Sequence, residues 1–254
     1  MTNDFHHSLY QIIANEPLTA LVYRMELRGD TQWITAPGQF VNIRLEGKFL
    51  RRPISICDWN ADTITLIYKV VGEGTLQMSQ MHQGNQLDIL TGLGNGFNTD
   101  IARMRHPLLV GGGVGVPPMY ALAKKLIEKG CRPTMIMGFN TAAEVFYYDE
   151  FKALGIDVFV TTVDGTGGIK GFVTDAMEQC GILYDYYYCC GPEPMLRALH
   201  AGAMTGGQLS FEERMGCGFG ACMGCTCQTI AGYKRICKDG PVMLKEEIIF
   251  PERK

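Results

Sequence analysis

Ten of the 254 residues are cysteine, and five of them crowd towards the C-terminus. Cys217, Cys222 and Cys225 are spaced C-x4-C-x2-C, and Cys237 follows alone. That is the plant-type spacing for a [2Fe–2S] cluster, a carrier of one electron at a time. Gly216, Gly218, Gly220 and Gly224 are interleaved with the first three cysteines. Glycine lets a chain turn tightly and bring its N–H groups close to a negatively charged core. A structural zinc held by four cysteines instead uses two paired C-x2–4-C knuckles. Only one such pair, Cys222 and Cys225, is present among the three, so the spacing favours the cluster. Two residues compete for the fourth position. Cys227 is nearer in sequence, but Thr226–Ile230 and Tyr233–Cys237 read as a hairpin around Ala231-Gly232, which would return Cys237 to Cys225. Cys237 is the favoured fourth ligand.

The remaining composition sets limits. Hydrophobic residues make up 46% of the chain and charged ones 19%, a balance that folds into packed globular domains. The net charge of −3 and the lack of a basic run argue against nucleic-acid binding. No run of eighteen apolar residues exists, so no membrane span is expected. The start, MTNDFHHSLY, lacks the basic and apolar regions of a signal peptide. Cysteine-rich without such a signal, the chain is expected in the reducing cytoplasm, with thiols as metal ligands rather than disulfides. Cys57, Cys131, Cys180 and Cys189 are expected as small buried hydrophobes.

Three rhythms divide the chain. Residues 1–103 carry alternating runs such as Gln39–Leu45 and Thr63–Val71, separated by turn signals at Pro37-Gly38, Asn60-Ala61-Asp62 and Gly84-Asn85. These predict an antiparallel β-barrel or sandwich, with one helix from Glu73 to about Gln80. Residues 104–208 alternate strand and helix: Leu108–Val110, Thr134–Phe139, Val158–Val163 and Tyr186–Cys190 read as strands. A helix is expected over Met119–Lys129, with Pro117 and Pro118 in its first turn and Gly130 at its end. Such alternation predicts a parallel α/β sheet. Residues 209–254 are too few to bury a core alone, and a metal centre would help hold them. The fold class is therefore α+β multidomain.

Two groups of motifs accompany the cysteines. In the barrel-like segment, Arg52-Pro53-Ile54-Ser55 offers a phosphate partner and a hydroxyl for an isoalloxazine edge, and Gly72-x-Gly74-Thr75 opens a helix whose N–H groups suit an anion. An ordinary cap explains the second motif alone equally well. In the α/β segment, Gly111, Gly113, Gly115 and Pro118 fit G-x-G-x-G-x-x-P between strand and helix, where backbone can approach a pyrophosphate. Val116 occupies the place of the third Rossmann glycine. Cys190-Gly191-Pro192 ends a strand and opens a helix, the edge at which open α/β sheets bind ligands. Cys190 fits beside a nicotinamide ring or as a structural thiol. Asp164-Gly165 is a candidate for the adenosine end. No arginine follows Thr134–Asn140, which favours NAD over NADP.

The order of these motifs resembles the ferredoxin–NADP reductase superfamily. The tail Phe211-Glu212-Glu213-Arg214-Met215-Gly216-Cys217-Gly218-Phe219-Gly220-Ala221-Cys222 is similar to the electron-transfer subunits of class 1B dihydroorotate dehydrogenases, and the likeness covers essentially the whole chain. The resemblance implies FAD in the β-barrel, NAD on the α/β domain and a [2Fe–2S] centre in the tail. Its flavin motifs map onto Arg52, Pro53, Ile54 and Ser55, onto Ile67, Tyr68 and Lys69, and onto Gly74 and Thr75. Its cluster ligands map onto Cys217, Cys222, Cys225 and Cys237. It further implies an FMN-containing catalytic partner that oxidises dihydroorotate, two copies of each chain in a heterotetramer, and electrons passing from FMN through the cluster and FAD to NAD+, in pyrimidine synthesis. No residue of this chain is then a general acid or base for dihydroorotate. Competing readings are an NAD(P)H oxidoreductase subunit of sulfide or ferredoxin type, and a zinc-binding interaction module.

Overall fold

A computed structural model describes residues 5–101 and 104–250. The first six strands are β1 (His6–Pro17), β2 (Val22–Arg28), β3 (Phe40–Arg44), β4 (Arg52–Trp59), β5 (Thr63–Lys69) and β6 (Gln86–Leu93), with helix α1 (Glu73–Ser79) between the last two. They close into an antiparallel barrel in the order β1-β2-β5-β4-β3-β6. The period of two puts Ile64, Leu66 and Tyr68 of β5 inside, against Met25, Leu27, Val41, Ile43 and Ile56. Ile67 of the same strand points outwards, into the core between barrel and α/β layer.

The second body contains β7 (Pro107–Gly112), α2 (Pro117–Glu128), β8 (Thr134–Phe139), α3 (Tyr148–Ala153), β9 (Asp157–Thr162), β10 (Ile169–Lys170), α4 (Val173–Gln179), β11 (Tyr186–Cys190), α5 (Glu193–Gly202) and β12 (Gly207–Ser210). Strands pair in the order β10-β9-β8-β7-β11-β12, all parallel. Leu109 faces α2 and the barrel, while Leu108 and Val110 face α4, α5 and the cysteine segment. Helix α2 lies between sheet and barrel. Lys124 on it reaches Asp58 of β4 at 2.7 Å, and Leu122 is fully buried in the shared core. Leu122→Ala is expected to destabilise the protein by about 2–5 kcal/mol, read as a fall in the midpoint of thermal unfolding followed by circular dichroism.

The remaining strands are β13 (Thr226–Thr229), β14 (Gly232–Arg235) and β15 (Val242–Leu244). The first two form the expected hairpin. The third adds antiparallel to β12, so the large sheet ends in a strand from the cysteine-rich segment. β12 itself spans the 208/209 boundary drawn from the sequence. Among the described residues no helix is long and apolar enough to cross a membrane.

Candidate functional site

At the carboxyl ends of β7, β8, β9 and β11 lies a cleft of about 610 Å³, within the range of small-molecule sites. Gly112, Gly113 and Gly115 line one side, Gly191, Pro192 and Met195 another, and Lys69 enters from the barrel. The glycines are there because backbone packs on backbone. A Cβ on Gly115 would stand 2.1 Å from the carbonyl oxygen of Cys190, and one on Gly112 2.8 Å from Met195 Sδ. Gly191 has φ +154°, a conformation side chains rarely adopt.

Two of the sequence candidates stand one layer behind this lining. Gly111 is buried in β7, where a Cβ would meet Val116 Cα at 2.7 Å. Cys190 is 1% exposed, and burial, with Glu212 nearby, pushes its thiol up to about 12. It therefore stands as a neutral thiol beneath the turn. Asp164 is also absent from the lining: its carboxylate accepts from the Thr166 N–H and hydroxyl, at 2.9 and 2.7 Å. Cleft residues that the motifs did not single out include Asn140 and Glu144, and Glu212 of the tail motif joins them. Glu144 accepts from the side chain and backbone N–H of Asn140. The cleft walls desolvate the Glu212 carboxyl and raise it above its ordinary value.

At the end of the barrel where β4 begins and β5 ends, Arg52 lies over Gly74. A Cβ there would sit 2.2 Å from Arg52 Nε, so glycine lets the guanidinium lie in this place. The Thr75 hydroxyl accepts from the N–H groups of Val71 and Gly72, at 2.9 and 3.3 Å, and so caps α1. Tyr68 points into the barrel and donates to Asn15 Oδ1 at 3.0 Å. Its ring is turned away from the outer face of the barrel. Phe49, Leu50, Val71 and Leu76 are exposed around this end, and Lys48 ties the first pair's loop to α1 through Glu73.

The cysteine segment packs on the barrel. Cys225 and Cys237 are buried, Cys217 and Cys222 half-buried. They form two pairs: the Cys222 N–H donates to Cys217 Sγ and the Cys237 N–H to Cys225 Sγ, each at 3.4 Å. The hairpin accomplishes the second pairing, with the Ile236 N–H donating to the Cys225 carbonyl. Burial raises the Cys217 thiol, but N–H groups of Cys222, Phe219 and Ala221 outweigh it and bring it down to about 6. Burial and the Cys225 thiol push Cys237 up to about 12. A Cβ on Gly216 would press on Cys222 Sγ at 3.3 Å, and one on Gly224 would rest in ordinary contact with it at 3.6 Å. Among the described residues no three metal-binding side chains converge as they would on one ion. Two thiol pairs, glycine backbone and N–H donors fit two irons with a pair on each better than a single zinc. Cys227 turns aside to Met243 Sδ, 3.9 Å away. Of the cysteines expected to be buried, Cys57, Cys131 and Cys189 are, but Cys180 is exposed, because it caps the end of α4.

Comparison with known proteins gives a consistent result. Residues 212–249 match the family model of the iron–sulfur cluster binding domain of dihydroorotate dehydrogenase B, and residues 109–201 that of the oxidoreductase NAD-binding domain. The chain is 44% identical to the dihydroorotate dehydrogenase B (NAD(+)) electron transfer subunit of Geobacillus sp. (strain WCH70), over 94% of this chain and 97% of that one. It is also 44% identical to the subunit of that name from Fusobacterium nucleatum, over 89% and 92%. Among solved structures, an NADH-dependent reduced ferredoxin-NADP oxidoreductase, described for flavin-based electron bifurcation, aligns with TM-score 0.85 and 31% identity, over 94% of this chain and 89% of that one. A ferredoxin NADP+ reductase from Neisseria gonorrhoeae with bound FAD and NADP shares the fold, with TM-score 0.67 and 18% identity over 75% and 87%.

Proposed function

The chain belongs to the electron-transfer subunits of NAD(+)-dependent dihydroorotate dehydrogenase B, and from that we propose that it carries electrons from a dihydroorotate-oxidising catalytic partner to NAD+. When bound, the [2Fe–2S] cluster supplies one-electron steps, and FAD converts them to the two-electron chemistry that NAD+ requires. The chain's own part is to hold these groups close, orient them and exclude water.

In this reading Cys217, Cys222, Cys225 and Cys237 hold the cluster. Arg52 meets the flavin's phosphates beside Gly74 and Thr75. Pro53, Ser55 and Lys69, with the backbone of Ile54, Ile67 and Tyr68, line its ring, the side chains of those last three being packed in the protein cores. Exposed Phe49, Leu50, Val71 and Leu76 supply apolar surface that such a ligand would cover. The turns at Gly113–Gly115 and Gly191–Pro192 face the dinucleotide, supported from behind by Gly111 and Cys190.

The observation that carries the reading is a shared surface. Pro53 and Ser55 of β4 pair directly with Asn42 and Phe40 of β3. Phe40 packs in the same cluster as Cys225 and Cys237. The flavin motif thus lies one strand spacing, ~4.8 Å, from the strand on whose outer face the thiol segment packs. The nucleotide cleft opens at Lys69, the end of the next strand. The partner is taken to carry FMN and to assemble as two of each chain, in the cytoplasm. Residues 1–103, 104–208 and 209–254 serve as flavin, nucleotide and cluster units.

A cofactor inventory of the natively purified complex tests this. Two irons and one FAD per chain are expected, with a co-purifying FMN subunit and dihydroorotate-dependent reduction of NAD+. A colourless chain containing zinc, or a coloured one whose partner lacks FMN and leaves dihydroorotate unchanged, would refute it.

A further inference from the structure

Among the polar side chains outside the motifs, Asn42 stands apart. Its neighbours in β3, Phe40, Val41 and Ile43, are all buried and apolar, and Asn42 itself is 1% exposed. It shares the outer face of the strand with Phe40, opposite Pro53 of β4. Its Nδ2 donates to the carbonyl oxygen of Cys217 at 3.2 Å. Gly218 presses on the same group: a Cβ there would lie 2.1 Å from Nδ2, and its φ is +79°. From behind, Arg51 Nη1 donates to the Asn42 carbonyl at 3.2 Å while Nη2 pairs with Asp88 at 2.8 Å, which fixes the strand. Asn42 Oδ1 is buried with no partner among the described residues.

A packing role does not account for this arrangement. A buried acceptor without a partner is destabilising, whereas leucine would fill the place without that cost. What the amide provides is orientation. The peptide bond is planar and trans, so holding the Cys217 carbonyl towards the barrel directs the N–H of Gly218 the opposite way. The residues that follow, Phe219, Ala221 and Cys222, then present their N–H groups to Cys217 Sγ. Hydrogen bonds to ligand sulfurs stabilise the more negative, reduced form of an iron–sulfur centre and raise its potential.

We propose that Asn42 is a positioning residue for electron transfer: it clamps the Cys217–Gly218 peptide to the flavin-bearing face of the barrel and thereby sets the reduction potential of the cluster. The inference rests on the reading of the four thiols as cluster ligands. Loss of the clamp relaxes the N–H donors, and the potential falls.

The test uses Asn42→Leu and Asn42→Asp in the purified complex. Both are expected to keep two irons and one FAD per chain. At a fixed redox poise the ratio of reduced to oxidised cluster should drop about tenfold, equivalent to 59 mV for one electron, and the g-values of the dithionite-reduced centre should shift. The aspartate has the shape of asparagine, so it decides the question if the leucine variant does not accumulate. Wild-type potential and g-values in the variants overturn the proposal. So does failure of both variants to retain iron, because Asn42 would then be a folding residue only. A wild-type complex without two irons per chain would instead defeat the underlying cluster reading.

Discussion

Cys237→Ala is expected to abolish the visible absorption and the paramagnetic signal of the reduced cluster, and with them electron delivery from the catalytic partner, while NADH still reduces the flavin. Cys227→Ala is expected to preserve all of these. The ground for the contrast is local. Cys237 is 1% exposed, returned by the β13–β14 hairpin so that its N–H meets Cys225 Sγ. Cys227 lies within the first strand of that hairpin, and its sulfur faces Met243 rather than either thiol pair. Loss of an outer-shell partner already costs a metal site roughly 10–100-fold in affinity, and loss of a ligand exceeds that. Iron analysis, absorption spectra and dihydroorotate-dependent NAD+ reduction measure the outcome. Cluster loss in Cys227→Ala and retention in Cys237→Ala would reassign the fourth ligand.

The second large effect is expected at Gly115. In Gly115→Ala the new methyl group would stand 2.1 Å from the Cys190 carbonyl oxygen and 2.4 Å from its carbon, with Gly191 Cα at 2.7 Å. All three are backbone atoms and have no rotamer to escape into. The turns after β7 and β11 must separate, and both line the nucleotide cleft. A displacement near 1 Å costs about 10²-fold in rate when it misplaces a reactant, so NADH-dependent reduction of the flavin should fall by at least about that factor. The cluster and flavin spectra should persist, because the atoms that this methyl group would press on all belong to the Cys190–Gly191 turn. Stopped-flow flavin reduction by NADH, compared with chemical reduction by dithionite, separates the two behaviours. Unaltered NADH reduction would remove these turns from the nucleotide site.

Much of this molecule is legible in its residues where the signal is local. Period-two runs locate β3 and β5 to within one or two residues at each end, and Gly72–Thr75 marks the start of α1. The hairpin that brings Cys237 to Cys225 follows from two short runs around Ala231-Gly232. What remains hidden depends on distant pairing. Val242–Leu244 is three residues long and has no periodicity of its own; only Ser210, Leu209 and Gln208 across the ladder make it a strand. Nothing near Gly111 or Cys190 reveals that they support the cleft from behind, because that depends on how far each strand reaches before it turns. Tyr68 falls in the flavin motif by family resemblance, yet alternation along β5 sends its ring into the barrel. Asn42 reads as an ordinary polar residue in an alternating strand until Cys217, 175 positions away, is found against it. Glu212 stands in the tail motif, but only the folded cleft shows the wall it forms.

Ser210 ends β12, and Val242, its partner across the ladder, begins β15. The chain therefore leaves the large sheet and re-enters it at adjoining positions, with all four thiols carried in between. Joining such ends directly would need only a tight two- to five-residue connection, and the entropic penalty for a longer excursion grows by only about 0.6 kcal/mol per doubling. The metal-carrying stretch thus has the geometry of a cassette. Its four thiols are tethered to the scaffold at two neighbouring points of one ladder.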